Sequence, residues 1–196
     1  AMKENIDPKN IFLVAITPCV AKKFEIKRPE LADMYGKNTD LIVTVREVSR
    51  LIKKQKINFK TIKESNFDSA FPTGSGAGVI FGASGGVMEA AIRTAYYLTT
   101  HENPPADLLN FKKLRGYTDV KTAEVTLLNR KLKLCVVFGT ARAREILSRL
   151  KARKIDMLEV MACPNGCVGG GGQPKQFKND DAVIKRAQGL FKQDEI

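Results

Sequence analysis

A chain of 196 residues, 43% hydrophobic and 28% charged, is long enough to bury a sizeable core and has the composition of a globular domain. The formal charge of +12 is spread over both halves, which suits an acidic partner, but with no Trp, four Tyr and no arginine-rich arm, nucleic-acid binding is not the expected function. No apolar run reaches the roughly 20 residues of a membrane-spanning helix, and the first residues hold no apolar signal core, so a cytoplasmic chain that does not enter the membrane is expected.

The run IFLVAI over 11–16 predicts a buried strand that ends at Thr17-Pro18. A second strand is predicted from Leu41 to Val45. Thr44 and Glu47 then make a capping box for a helix whose apolar stripe is Val45, Val48, Leu51 and Ile52. The polar stretch from Asn58 to Pro72 reads as loop. A glycine-dense block from Gly74 to Gly86 follows and feeds a helix over 87–97, with His101 in the surface loop beyond it.

The second half repeats the alternation. Strands are predicted over 122–128 and 131–138, joined by a tight turn at Asn129-Arg130 as a hairpin. Thr140 is expected to cap a helix running to about Lys151. A buried strand from Asp156 to Val160 delivers Met161 and Cys163, and Asp181 opens a last amphipathic helix. This order predicts an α/β fold with a mixed, partly parallel sheet flanked by helices and glycine-rich loops at strand ends. No linker divides residues 1–196, so they read as a single unit.

The four cysteines fall into two kinds. Cys135 sits inside the apolar run KLCVVF and reads as a core strand residue. Cys19, Cys163 and Cys167 read as ligands, and Cys19 and Cys163 directly follow predicted strands, where a rigid element can aim a ligand into a crevice. Cys163 and Cys167 flank Pro164-Asn165-Gly166, which can turn tightly enough to point both sulfurs at one object. The following GGGGQP has almost no side chains, so its backbone amides can approach an anionic group. Thiolates with close amides suit an iron–sulfur cluster better than zinc. A spacing of three residues between two cysteines is weak by itself; the glycine run and a second Pro-Cys pair strengthen it. The Gly74–Gly86 block matches neither a phosphate loop nor a dinucleotide fingerprint. Lys22 and Lys23, just after Cys19, read either as a solvated pair or as counter-ions to an anionic cofactor.

Three blocks in this order, TPCVAKKFE over 17–25, FGASGGVMEAAIR over 81–93 and EVMACPNGCVGGGGQP over 159–174, resemble the catalytic domain of [FeFe]-hydrogenases. The resemblance runs from about residue 11 to 174, and its last block is the most specific. It implies an H-cluster: a [4Fe-4S] cubane bridged through a cysteine to a di-iron subcluster that carries CO, cyanide and a bridging dithiolate. By motif position, Cys19, Cys163 and Cys167 would ligate the cubane, with Cys167 bridging to the di-iron unit. Lys22 would hydrogen-bond a cyanide, Glu25 would hold the loop around it, and Pro18, Phe81, Gly82 and Met161 would line the di-iron pocket. Lys22, Met161 and Cys167 are thus the residues the resemblance places in catalysis. The implied activity is reversible oxidation of H2 to protons and electrons, with an acidic ferredoxin or another electron carrier as partner.

Two departures from the family pattern bear on this expectation. Thr17 stands where active members usually carry Met, and Val20 where Thr is common. The earlier Thr-Ser-Cys-Cys-Pro motif, which supplies the fourth cubane ligand, is not in the chain. The expectation is a part of a hydrogenase that needs a separate N-terminal half or complementary subunit, and is inactive alone. The alternative is a non-catalytic hydrogenase-like iron–sulfur protein, a sensor or an iron–sulfur assembly factor. A basic module whose cysteines hold zinc comes third. Loss of the missing half also predicts an exposed apolar face.

Overall fold

A computed structural model describes residues 5–33, 36–66, 75–109, 111–127, 129–175 and 181–195. They fall into two units, residues 1–67 with 170–175 and residues 68–169 with 176–196.

In the first unit the apolar run at 11–16 becomes strand later than its hydropathy suggests: β1 spans Val14–Thr17. The Asp40 carboxylate accepts the Leu13 amide at 2.7 Å, while the Asp40 and Leu41 amides both donate to the Leu13 carbonyl. A side chain therefore takes the place of a ladder partner at Leu13. After β1 come the short helix α1 (Lys22–Glu25) and the two-residue strands β2 (Ala32–Asp33) and β3 (Gly36–Lys37), which pair antiparallel. Strand β4 (Leu41–Thr44) pairs parallel to β1 in the register Val14↔Leu41 to Thr17↔Thr44.

Helix α2 (Val45–Lys54) starts on the expected capping box: the Thr44 hydroxyl accepts the Glu47 amide, and Glu47 accepts the Thr44 amide at 2.8 Å. Residues 58–66 form no helix or strand, as predicted; the remainder of that predicted loop, to Pro72, and Gly74 lie outside the described residues. A two-stranded parallel sheet cannot cover both of its own faces. Phe12 and Phe24 are 70% and 73% exposed, and Val14, Ile16 and Val20 are exposed as well.

The second unit holds α3 (Gly76–Val79), a 3-10 turn at Ile80–Gly82, α4 (Gly86–Thr100) and α5 (Ala106–Leu109). His101 ends α4 in a left-handed conformation and is exposed, as its loop position implied. Strands β5 (Val120–Leu127) and β6 (Arg130–Phe138) form the predicted antiparallel hairpin, with Asn129 at φ +64° in its turn. Leu128, predicted to close the first strand, lies outside the described residues. Strand β7 (Met157–Met161) adds parallel to β6, from Leu134↔Met157 to Phe138↔Met161.

Between β6 and β7 run α6 (Thr140–Ser148) and α7 (Leu150–Arg153), and α8 (Asp181–Asp194) closes the unit. Thr140 is not the cap expected of it. Gly139 occupies that position at φ +88°, and no side chain caps the helix. The single helix predicted to Lys151 breaks after Ser148 into two.

The sheet is mixed, and helices cover both of its faces. Leu134 and Val136 of β6 pack with Met88 and Ile92 of α4 and with Leu114. The alternate residues Cys135 and Val137 pack with Ala143 and Ile146 of α6. Cys135 is therefore fully buried core, as read from its apolar run.

Candidate metal centre

In the first unit β1 delivers Thr17, whose hydroxyl donates to the Cys19 carbonyl at 3.1 Å. The glycine run returns to this turn. The Gly172 amide donates to the Pro18 carbonyl at 2.8 Å, and a Cβ on Gly172 would stand 2.8 Å from the Pro18 carbonyl carbon. Arg46, at the start of α2, grips the other side: its amide donates to Gly172 O at 2.9 Å, and its guanidinium donates to the Gly171 and Gln173 carbonyls. Glycine at 172 is thus required by the approach of Pro18-Cys19, and this amide serves the chain itself rather than a bound anion.

Lys22 is about half exposed and donates to Glu25 at 2.5 Å. Lys23 pairs with Glu47 at 2.5 Å, and with Thr44 it holds that carboxyl down to about 2.

In the second unit β7 leads into Cys163 and a turn closed by the Gly166 amide on the Cys163 carbonyl at 3.0 Å. Asn165 and Gly166 are both left-handed, at φ +58° and +87°. A Cβ at Gly166 would lie 2.7 Å from the Ser84 amide nitrogen, and one at Gly169 would lie 2.1 Å from the Pro164 carbonyl. The Ser84 amide donates to the Asn165 carbonyl at 3.0 Å. The loop with Phe81 and Gly82 and the turn with Cys163 and Cys167 are therefore built against each other, backbone to backbone. Met161 lines an apolar cleft of about 450 Å³ with Val87, Met88, Ala91 and Val160. Phe81 is 48% exposed.

Two buried charged residues fix the 84–88 corner. Glu159 accepts the Gly85 and Met88 amides, each at 2.7 Å, where the start of α4 favours an anion. Lys121 donates to the Ser84 carbonyl at 2.5 Å and to Gly116 O at 3.2 Å. Burial pulls the Lys121 ammonium down from 10.5 to about 8, and the nearby Glu159 charge partly opposes this. Below pH 8 the lysine is charged in both folded and unfolded chains, and its burial penalty is fully present. Between pH 8 and 10.5 the unfolded chain binds the proton that the folded chain releases, so stability from this group rises with pH. Relative to Lys121→Met, the natural chain should gain ~2 kcal/mol across that window, read from urea midpoints.

Of the expected site residues, Pro18, Cys19 and Lys22 belong to the first unit, and Phe81, Gly82, Met161, Cys163 and Cys167 to the second. Among the described residues no three or more His, Cys, Asp or Glu side chains group as a ready metal site. The donor chemistry nevertheless suits iron–sulfur: Cys19, Cys163 and Cys167 form no disulfide and are half-buried, and thiolates favour such clusters. Sequence reasoning missed Arg46, Lys121 and Glu159 as builders of these loops. Only Glu159 left a signal, a carboxylate inside an otherwise apolar strand.

A mixed sheet flanked by helices, with a thiol-bearing glycine loop after β7 and a thiol-bearing turn after β1 of the parallel pair, is the arrangement of the hydrogenase fold. The model of the iron only hydrogenase large subunit, C-terminal domain, matches residues 1–171, and the chain belongs to that family. It is 39% identical over 196 residues to iron hydrogenase 1 of Clostridium pasteurianum, covering 97% of this chain and 34% of that protein. It is 41% identical to the periplasmic [Fe] hydrogenase large subunit of Nitratidesulfovibrio vulgaris, over 89% of this chain and 41% of the relative. Protein NAR1 of Arabidopsis thaliana is 30% identical over 94% of this chain and 42% of its own length. Among solved structures, the [FeFe]-hydrogenase HydA1 of Chlamydomonas reinhardtii superposes with a TM-score of 0.73 at 30% identity, covering 97% of this chain and 55% of that one. The chain thus spans about a third to a half of the proteins it matches.

Proposed function

We propose that the chain is the C-terminal part of an [FeFe]-hydrogenase catalytic domain that contributes to H-cluster binding and reversible H2 oxidation together with a separate N-terminal half. The observation that carries the reading is the backbone bond from Ser84 to Asn165, which joins the Phe81–Gly82 loop to the Cys163–Cys167 turn. Two of the three family blocks therefore meet in one unit.

Cys19, Cys163 and Cys167 are the proposed cubane ligands, with Cys167 the bridge to the di-iron subcluster. That group, when bound, supplies a site at which H2 is split into protons and electrons. The chain's own residues orient and enclose. Thr17 and Arg46 hold the Cys19 turn and the glycine run in shape. Glu25 accepts from the Lys22 ammonium, which would donate to an anionic ligand. Pro18, Phe81, Gly82 and Met161 provide the apolar lining that excludes water.

The exposed Phe12, Ile16 and Phe24 supply an apolar surface for the missing half, and the share of each relative that the chain leaves unmatched supports such a partner. The positive charge suits an acidic ferredoxin as electron carrier. No described helix is long and apolar enough to cross a membrane, and one relative is named periplasmic.

The non-catalytic reading draws on the similarity to protein NAR1 and on Thr17. Infrared spectra after maturation separate the two: bands of iron-bound CO and cyanide are expected when both halves are present, with H2 turnover only then. A cubane without those bands favours the non-catalytic protein, and enzyme-like turnover by the chain alone overturns the need for a second half.

A further inference from the structure

Helix α8 begins beyond residue 171, where the family match ends, yet it backs both loops of the second unit. Ala187 is buried with Ala83 and Val168, and Val183, Leu190 and Phe191 pack around them. Leu190 fills the space left by the missing side chain of Gly82, where a Cβ would stand 2.7 Å from its Cδ1. Arg186 donates to the carbonyl of Val168, the neighbour of Cys167, at 3.1 Å. One helix thus touches the Phe81–Ala83 loop and the Cys163–Cys167 turn together.

The far end of α8 is fixed by four buried charges. Asp194 accepts from Arg93 at 2.7 and 2.8 Å and from Arg115 at 2.5 Å, and both arginines also bind Glu89. All four side chains are between 1% and 9% exposed. The bond from Arg93, more than that from Arg115, holds the Asp194 carboxyl below its ordinary range. Gly76 closes over Asp194, leaving 2.7 Å between a Cβ there and Oδ1. The Arg115 guanidinium lies 4.6 Å from the centre of the Phe191 ring, so the ion cluster and the apolar face of α8 share one anchor. A buried ion cluster gains little net stability over apolar packing, but it allows one geometry and penalises any shift that separates its members.

We infer that Asp194 is a positioning residue: by locking the last turn of α8 onto Arg93 and Arg115, it holds Leu190 against Gly82 and Arg186 against Val168, and so sets the Cys163–Cys167 turn against the Phe81–Ala83 loop. The bearing of this role on cluster binding rests on the function proposed above; the loop geometry does not.

The test uses the iron-free, reduced full chain and measures alkylation of each cysteine by mass spectrometry, with amide exchange beside it. Asp194→Asn and Leu190→Ala should each speed alkylation of Cys163 and Cys167 about tenfold and raise exchange over 82–86 and 166–169. Cys135 and the β6 amides should stay at natural rates, and Leu190→Met, which conserves volume, should restore the natural thiol rates. Natural rates at Cys163 and Cys167 in both variants, or an equal rise at Cys135 and β6, would overturn the inference. If Asp194→Asn does not fold, Leu190→Ala decides by the same readout. Because no iron is present, a failure of the hydrogenase reading leaves this result standing, and the reverse holds too.

Discussion

Cys167→Ser is expected to cut the iron retained after anaerobic reconstitution with iron and sulfide at least about tenfold, while Cys135→Ala leaves it unchanged. The two cysteines differ in setting rather than chemistry. Cys135 is fully buried in β6 between packed apolar neighbours, where removing the sulfur costs stability but no ligand. Cys167 is half-buried at the end of a turn whose Asn165 and Gly166 are both left-handed, four residues from a second half-buried thiol. Under the proposed ligand set, Cys19→Ser should behave as Cys167→Ser does. Iron counting and EPR of the reduced protein make the measurement. Equal retention in the Cys167 and Cys135 variants would remove the thiol turn from the proposed site.

Glu159→Ala should be the most destabilising single change in the loop scaffold, at about 3–5 kcal/mol in the urea-derived stability. The carboxylate accepts two amides at the start of α4, so its loss leaves both donors buried without that acceptor. It also removes the anion that faces the buried Lys121 ammonium. Glu159→Gln should not rescue fully, because one amide of α4 would then meet an NH2 group instead of an oxygen. Adding Lys121→Met to Glu159→Ala should cost less than the sum of the two single changes, since the ammonium is no longer left without its counter-charge. A loss under about 1 kcal/mol for Glu159→Ala would show that the corner at 84–88 holds by packing alone.

Much of the fold was legible because its signals are local. The capping box at Thr44 and Glu47 and the hairpin turn at Asn129 follow from short-range backbone chemistry, and the buried alternation of β6 follows from side-chain period. Where the reading missed, a long-range partner decided. The late start of β1 depends on Asp40, 27 residues away, taking the Leu13 amide. Thr140 reads as a cap by type, yet the left-handed Gly139 holds that position, where the Gly139 amide bonds to the Met161 carbonyl. The break after Ser148 has no signal in the residue types on either side.

By itself the sequence singled out the residues proposed to face a cluster, because thiols, glycines and prolines come together there at short spacings. It determined the mixed α/β class as well, from the order of strand and helix periods. Only the tertiary structure decided what holds the loops in place. Gly166, Gly169 and Gly172 are glycines because another stretch of backbone lies within 3 Å of where a Cβ would stand. Lys121 and Arg46 look like ordinary surface charges in the sequence and Glu159 stands out only as a carboxylate in an apolar run, yet Glu159 and Lys121 are buried and all three bind the backbone of these loops. Asp194 closes a buried ion cluster with residues 79 to 105 positions away. Such placements depend on distances through space between residues far apart in the chain, and residue types and their spacing do not encode them.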